Sequence, residues 1–159
     1  MRRKDKEITG TEEMIAIIEQ NTVCRIGLSQ NNRPYIVPLN YGYSFENNIL
    51  TLYFHSAREG RKMDIIKENN QACFEIDCDH QLIEGGKPCS YSYAFKSIIG
   101  FGRIVIIEST DEKINGLNRI IKQQTGKEIT YDFPEEALKR TVVYKLAVKE
   151  FTGKQKQDF

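Results

Sequence analysis

Three strand-like segments follow one another near the start of the chain, separated only by short polar turns. Residues 23–28 and 34–41 flank a polar turn, and residues 46–48 separate them from residues 49–55, which are rich in β-branched and aromatic side chains. Turns this short join antiparallel strands, whereas parallel strands need a crossover of a dozen or more residues. The sequence therefore disfavours a parallel α/β sheet and predicts an antiparallel meander.

Helical periodicity appears at three places. A Thr-x-x-Glu capping box at residues 9–12, followed by apolar side chains at helical spacing, predicts a helix over about residues 11–20. The same spacing over residues 63–66 predicts a short helix that ends near residues 69–70. A second box that begins at Ser109 opens a third helix, which should stop at Gly126.

The remaining strands are expected at residues 72–77, 91–108 and 141–151. Turn residues over 79–89 predict a loop, and Gly100 and Gly102 inside the long strand indicate a bulge or a close backbone approach. Six antiparallel strands with short helices are best closed into a small barrel, because a barrel leaves few edges exposed. We predict a mainly β (α+β) fold forming one domain over residues 1–159, with the barrel at about residues 22–151.

Charge and hydropathy restrict the binding partners and the cellular location that we expect for this chain. The 159 residues carry a formal net charge of +1, so charge gives no support to general nucleic-acid binding. The longest apolar runs, such as residues 104–107, are far shorter than the roughly 20 residues that span a bilayer. The basic residues 1–5 precede no apolar segment of the kind found in secretory signals, and we expect a cytoplasmic protein without a membrane span.

The four cysteines form no C-x-x-C pair, and buried, reduced thiols are expected. Cys78, His80 and Cys89 could be imagined as metal ligands, but structural zinc sites present closely spaced pairs on tight turns. No metal site is predicted.

The segment from His55 to Lys62 is the strongest candidate for chemistry, because it joins a strand to a helix. Free amides and the positive end of a helix favour a phosphate there. Ser56 could cap the helix or donate its hydroxyl proton, and Arg61 and Lys62 add positive charge. The alternative is purely structural: Ser56-x-x-Glu59 is itself a capping box, basic side chains often form a solvated face, and His55 could simply end a strand.

Three motifs, which occur in the family's order along the chain, resemble those of the pyridoxamine-phosphate-oxidase-related FMN proteins, in particular the nitroimidazole-resistance branch. The central motif is YFHSA-x-x-GRK at residues 53–62, followed by N-x-x-ACFEID at residues 69–77. Upstream, P-x-x-x-PLNYGY covers residues 34–43, and downstream Y-x-x-x-SIIGFG covers residues 93–102. The succession is more specific than any single motif.

The resemblance implies a split β-barrel that forms a homodimer, with FMN held in clefts between the subunits. The phosphate would lie near His55, Ser56, Arg61 and Lys62. The flavin ring would follow the second strand, and Ser97 and Phe101 would approach from a neighbouring strand or the partner. The ring contacts implied by the resemblance are Val37, Pro38, Leu39, Asn40 and Tyr41.

The implied activity is FMN-dependent reduction of a small molecule, of the nitroreductase type. The flavin would carry the redox chemistry, and His55 is the candidate catalytic residue, because it is the side chain near the site that titrates near neutral pH. No C-terminal arginine-rich substrate motif of true pyridoxamine phosphate oxidases is found, so vitamin B6 oxidation is not expected. Two alternatives stay open: a flavin- or haem-binding barrel without turnover, in which His55 or His80 would ligate haem, and a scaffold whose aromatic side chains serve only as core or interface.

Overall fold

The computed structural model describes residues 3–156 and contains eight strands and four α-helices. The strands are β1 (Glu7–Ile8), β2 (Val23–Gln30), β3 (Arg33–Asn40), β4 (Gly42–Glu46), β5 (Ile49–Ser56), β6 (Gln71–Ile83), β7 (Ser92–Ile107) and β8 (Val142–Lys156). The helices are α1 (Thr11–Gln20), α2 (Arg61–Glu68), α3 (Thr110–Thr125) and α4 (Glu135–Arg140).

All eight strands belong to one antiparallel sheet. Its order is β3-β2-β6-β7-β8-β5-β4, and β1 pairs with β8. The mainly β antiparallel prediction is confirmed, but the count of six strands is wrong, because it omitted the two short strands β1 and β4. Among the described strands no ladder joins β3 to β4, so the sheet is open and has the arrangement of a split barrel.

The predicted meander of the first three strands is also wrong. β3 pairs with β2, whereas β4 pairs with β5, so the two consecutive strands lie at opposite ends of the sheet order. They are joined at Tyr41, whose ring is fully buried and whose hydroxyl donates to the carbonyl of Ile18 at the end of α1. Burial of this side chain fixes the corner at which β3 ends at Asn40 and β4 begins at Gly42.

Inward-facing side chains of the central strands form the main core. Phe54, Phe74, Ile98 and Leu146 are fully buried in it, and burial of such a side chain contributes about 1.5–3 kcal/mol. A smaller cluster beneath α3 contains Tyr53, Ile107, Ile120 and Val143. α3 can pack closely over this cluster because Gly42 has no side chain, which lets the backbone of β4 approach the backbone of α3 at Arg119.

The ends of the helices confirm some predictions and correct others. Ser109 caps α3 by accepting a hydrogen bond from the amide of Glu112, and Gly126 ends that helix in the left-handed region at φ +66°. The prediction that a Thr-x-x-Glu box at residues 9–12 caps α1 is wrong, because Gly10 is the N-cap and no side chain caps this helix. Helix α4 was not predicted; its six residues are too few to show a period.

Two irregularities shape the long strands. The loop predicted over residues 79–89 is wrong in its first part, because β6 continues to Ile83 after a bulge at which Asp79 has φ +55°. The predicted irregularity in β7 is confirmed: the register with β8 shifts between Phe101 and Gly102, and a Cβ on Gly100 would clash with the Phe74 ring.

Residues 3–156 contain neither a membrane-spanning helix nor a cluster of metal-binding side chains. None of the helices in this range has the length and apolar character needed to cross a bilayer. In the same range, no three His, Cys, Asp or Glu side chains are grouped so that they could hold a metal ion.

Candidate functional site

The candidate site begins where β5 ends and the chain reverses into α2. Gly60 makes the reversal with φ +134° and ψ +156°, a conformation that is essentially confined to glycine. Ser56 ends β5, and its hydroxyl donates to the carbonyl of Ala57 at 2.8 Å. The interpretation of Ser56 as the N-cap of α2 is therefore wrong, because Gly60 takes that position four residues later.

The first turn of α2 offers free backbone donors. The amides of Met63 and Asp64 donate to the carbonyl of Gly60 at 2.9 and 3.2 Å, and no side chain caps the helix. Within residues 3–156, the amides of Arg61 and Lys62 therefore have no hydrogen-bond acceptor. A helix N-terminus with two unpaired amides attracts an anion.

Lys62 and His55 lie close together at this helix end without an acidic partner in the described part of the chain. Partial burial lowers the pKa of the Lys62 ammonium. The pKa of His55 is lowered first by the surrounding protein atoms, although part of its ring is exposed, and then by the charge of Lys62. Both shifts oppose positive charge, and a bound anion would relieve them.

Arg61 links this helix end to β3. Its guanidinium carbon lies 4.8 Å from the centre of the Tyr35 ring, a cation–π contact that also leaves its donors free of any carboxylate among the described residues. Tyr35 packs against the main core from the inner side of β3. The contact thus brings the predicted phosphate segment beside the strand predicted to carry the flavin ring.

The free edge of β3 presents a particular set of backbone groups. Pro34 and Pro38 pair with Ser29 and Arg25 of β2 but have no N–H to give to that ladder. In an antiparallel pair, residues of one parity turn their backbone groups away from the neighbour. The backbone N–H and C=O groups of the even-numbered residues of β3 therefore face the open edge. Among these residues, Asn40 supplies a backbone donor.

An apolar groove of about 510 Å³ crosses the outer face of β2, β3, β6 and β7. Ile36 and Phe101, which are 67% and 52% exposed, line it together with Pro34 and Cys73. Gly27 makes room for the Cys73 thiol, because a Cβ there would lie 2.6 Å from its sulfur.

The structure brings the predicted residues together in two groups. His55, Arg61 and Lys62 surround the start of α2, and β3 adjoins them through Tyr35. Phe101 lies in the outer groove with Ile36 of β3, whereas Ser97 is paired with Asp77 and Lys154 away from both groups. Val37 and Leu39 point toward the core, Pro38 and Asn40 are exposed, and Tyr41 is buried at the corner.

Sequence reasoning missed two residues that support these groups. Arg58 donates to the carbonyl of Lys139 and so ties the reversal to α4, and Gln124 of α3 bonds the side chain of Asn40. No sequence signal singles out either residue, since an arginine in a turn and a glutamine on a polar helix face are common.

The arrangement can bind a phosphorylated, planar ligand. Unpaired amides and cations can hold its phosphate, the polar edge of β3 can bond a heterocycle, and the outer groove can bury apolar surface. No side chain in either group is paired as a nucleophile with a base, so the residues favour binding and orientation over covalent catalysis.

Comparison with known proteins agrees with this arrangement. The pattern of the pyridoxamine 5'-phosphate oxidase family matches residues 10–155. A provisionally named 5-nitroimidazole antibiotic resistance protein from Bacteroides thetaiotaomicron is 31% identical, with a TM-score of 0.80 over 94% of this chain and 86% of that one. No curated protein sequence matches the chain significantly.

Two more distant structures share the fold. The flavocytochrome Anf3 from Azotobacter vinelandii has a TM-score of 0.81 at 18% identity over 99% of this chain and 72% of that one. A FAD- and haem-binding protein from Mycobacterium smegmatis has a TM-score of 0.79 at 15% identity, over 97% of this chain and 75% of that one. The family pattern and the 31% identical structure together establish that this chain belongs to the pyridoxamine 5'-phosphate oxidase family, in its nitroimidazole-resistance-like branch.

Proposed function

We propose that the protein binds FMN and uses it to reduce a small molecule. The observation that carries the proposal is the start of α2, where two unpaired amides, a partly buried Lys62 and His55 converge without a carboxylate among residues 3–156. Buried or crowded cations without a counterion are costly unless an anion binds them. A flavin phosphate supplies that anion.

The ring of the flavin lies along β3 in this proposal. Val37 to Tyr41 would provide the contacts, with backbone groups of the free edge bonding the polar part of the ring. The cation–π contact between Arg61 and Tyr35 supports the proposal, because it brings the start of α2 beside this strand. Relatives of the same fold are named as FAD-binding proteins, which supports a flavin of some kind.

A homodimer would complete the site. The exposed Ile36 and Phe101 give the outer sheet face an apolar groove that a second copy can cover. Ser97 and Phe101 lie on β7, whereas His55 lies at the end of β5. In a dimer they would approach the FMN of the partner, at the interface between the subunits.

Bound flavin would supply the two-electron chemistry, in the manner of a nitroreductase. The chain's own residues would bind and orient: Lys62 and Arg61 hold the phosphate, and the edge of β3 holds the ring. His55, whose pKa is lowered, would be neutral at neutral pH and could accept a proton at an imidazole nitrogen. We further propose that the protein works in the cytoplasm on a small redox substrate.

Haem binding is the second candidate, because two structures of this fold are named as a flavocytochrome and as a FAD- and haem-binding protein. His80 is a poor axial ligand, since its Nε2 lies 2.8 Å from an oxygen of Asp77. His55 would then be the ligand.

The deciding experiment is the visible spectrum of the purified protein, followed by release and identification of the chromophore. A flavin spectrum with released FMN, lost in Lys62→Ala but kept in His55→Ala, supports the proposal. A Soret band that disappears in His55→Ala supports haem. A colourless protein that does not take up added FMN would leave the barrel as a scaffold and reject both.

A further inference from the structure

A pair of amide side chains joins the end of β3 to α3. The Nδ2 of Asn40 donates to the Oε1 of Gln124 at 2.8 Å and to the carbonyl of Thr22 at 3.1 Å. The Nε2 of Gln124 donates to the carbonyls of Thr22 and Tyr41 at 3.0 and 3.2 Å. The network therefore spans the corner at which β3 passes into β4.

The orientation of both amides follows from their partners. Backbone carbonyls can only accept, so the atoms facing Thr22 and Tyr41 must be the nitrogen ends. The oxygen of Gln124 is then left to accept from Asn40. A flipped Asn40 would place two oxygens against each other and against the carbonyl of Thr22.

The hydrogen bonds of its Nδ2 leave the Oδ1 of Asn40 as the polar side-chain atom without a partner among the described residues. An amide nitrogen has two protons, and Asn40 uses both. Its Oδ1 receives no hydrogen bond from any residue between 3 and 156, and the side chain is exposed at the outer face of β3. Position 40 therefore presents a fixed acceptor, with both lone pairs of the oxygen available.

The pyrimidine edge of a flavin has the complementary pattern, since a single imide N–H lies between two carbonyl oxygens. A protein that recognises this edge must place an acceptor between donors. Pro38 has no N–H, so it cannot act as one of the donors, whereas Asn40 carries a backbone N–H that pairing with β2 leaves free and an Oδ1 that no described residue bonds. Donor and acceptor thus stand together at one residue.

We propose that Asn40 Oδ1 accepts the hydrogen bond of the flavin imide N–H, and that Gln124 is a positioning residue that holds this oxygen outward. The inference rests on the proposed binding of the flavin ring along β3. Without Gln124, the amide of Asn40 keeps the carbonyl of Thr22 but loses the second of the two acceptors that fix which end faces the ligand, and its selectivity for a donor weakens.

Binding of FMN and of N3-methyl FMN, which lacks the imide proton, tests the proposal in the full-length protein. One hydrogen bond is worth about tenfold in affinity, and we expect the wild type to prefer FMN by about that factor. In Asn40→Ala the preference should fall to about one to threefold, and in Gln124→Met it should fall to an intermediate value.

Gln123→Met is the matched control, because Gln123 caps α1 through the carbonyls of Ile18, Glu19 and Asn21 and does not contact Asn40. It should keep the wild-type preference even if stability falls, since a ratio of two affinities cancels a general loss of folded protein. A preference that is absent in the wild type, or unchanged in Asn40→Ala, overturns the role of Asn40; one unchanged in Gln124→Met overturns that of Gln124. Failure of the wild type to bind FMN at all overturns the proposed function itself.

Discussion

The guanidinium carbon of Arg61 lies 4.8 Å from the centre of the Tyr35 ring, although the strand of Tyr35 and the strand leading to Arg61 stand near opposite ends of the sheet order. The contact spans the gap that no ladder closes. It therefore assembles the candidate site from the two sides of the open barrel.

Removal of either cation at the start of α2 should weaken FMN binding. A charge-assisted hydrogen bond contributes about 1.5–3 kcal/mol, so Lys62→Ala or Arg61→Ala should raise the Kd of FMN by about 10- to 150-fold. Riboflavin, which lacks the phosphate, should bind all variants alike. Flavin fluorescence titrations measure the two affinities, and Lys67→Ala, on the exposed face of the same helix, is the control. If Lys62→Ala or Arg61→Ala weakened riboflavin binding as much as FMN binding, the lost contact would not be to the phosphate.

The ionisation of His55 should respond to the phosphate. Its pKa is lowered by crowding and by Lys62, so NMR titration of the imidazole should give a value below the usual 6.5, and bound FMN should raise it. The assignment is simple, because His55 and His80 are the two histidines of the chain and His80→Gln removes one signal. If the pKa of His55 did not change on adding FMN, the phosphate would not lie near His55.

The same shift sets a direction for stability against pH. The unfolded chain protonates His55 near pH 6.5, before the folded protein does, so the contribution of a neutral His55 is present above that pH. It is lost as the pH falls through the lower pKa of the folded state. In urea unfolding of the cofactor-free protein, acidification should therefore lower the free energy of unfolding less in His55→Gln than in the wild type.

Gly60 should be intolerant of a side chain for conformational reasons alone. No atom lies within 4 Å of a Cβ built there, but the φ of +134° is costly for any other residue, so Gly60→Ala should lose about 1–3 kcal/mol of unfolding free energy. Gly86→Ala, which also meets open space but has no unusual φ, should be nearly neutral. Equal effects of both substitutions in chemical denaturation would contradict the argument.

The outer groove should govern self-association. Phe101→Glu or Ile36→Lys places a charge in the apolar groove and should convert a dimer to a monomer in light scattering, with a parallel loss of FMN. Ile49→Lys is a control, since Ile49 is 60% exposed but does not line the groove. A wild-type monomer that binds FMN would refute the shared site.

Much of this structure could be predicted from local patterns, and the failures have physical causes. The segment from His55 to Lys62 could be proposed as a site because its parts are contiguous, and the ends of α3 were predicted because capping depends on neighbouring residues. The corner at Tyr41 was missed, since a single buried aromatic residue links the two strands where a polar turn would have been recognised. The bulge at Asp79 hid the rest of β6 by breaking the alternation of period two.

Long-range partners were beyond such reasoning. Asn40 and Gln124 are 84 residues apart, and neither shows a pattern that would pair them. The contact of Arg61 with Tyr35 likewise depends on how the two halves of the sheet curve toward each other. The contiguous residues of the candidate site could therefore be proposed from the sequence, whereas the distant residues that contact them could not.

The position of β8 has a consequence for how the chain acquires its structure. β8 follows every other strand in sequence, yet it pairs with β1, β5 and β7 and is the strand that joins the two portions β3-β2-β6-β7 and β5-β4. During synthesis, those portions exist before the strand that unites them, and their unpaired edges are open to other chains. Assembly of this barrel is therefore a late, nonlocal event, because the edges of β5 and β7 that pair with β8 stay open until residues 142–156 have left the ribosome.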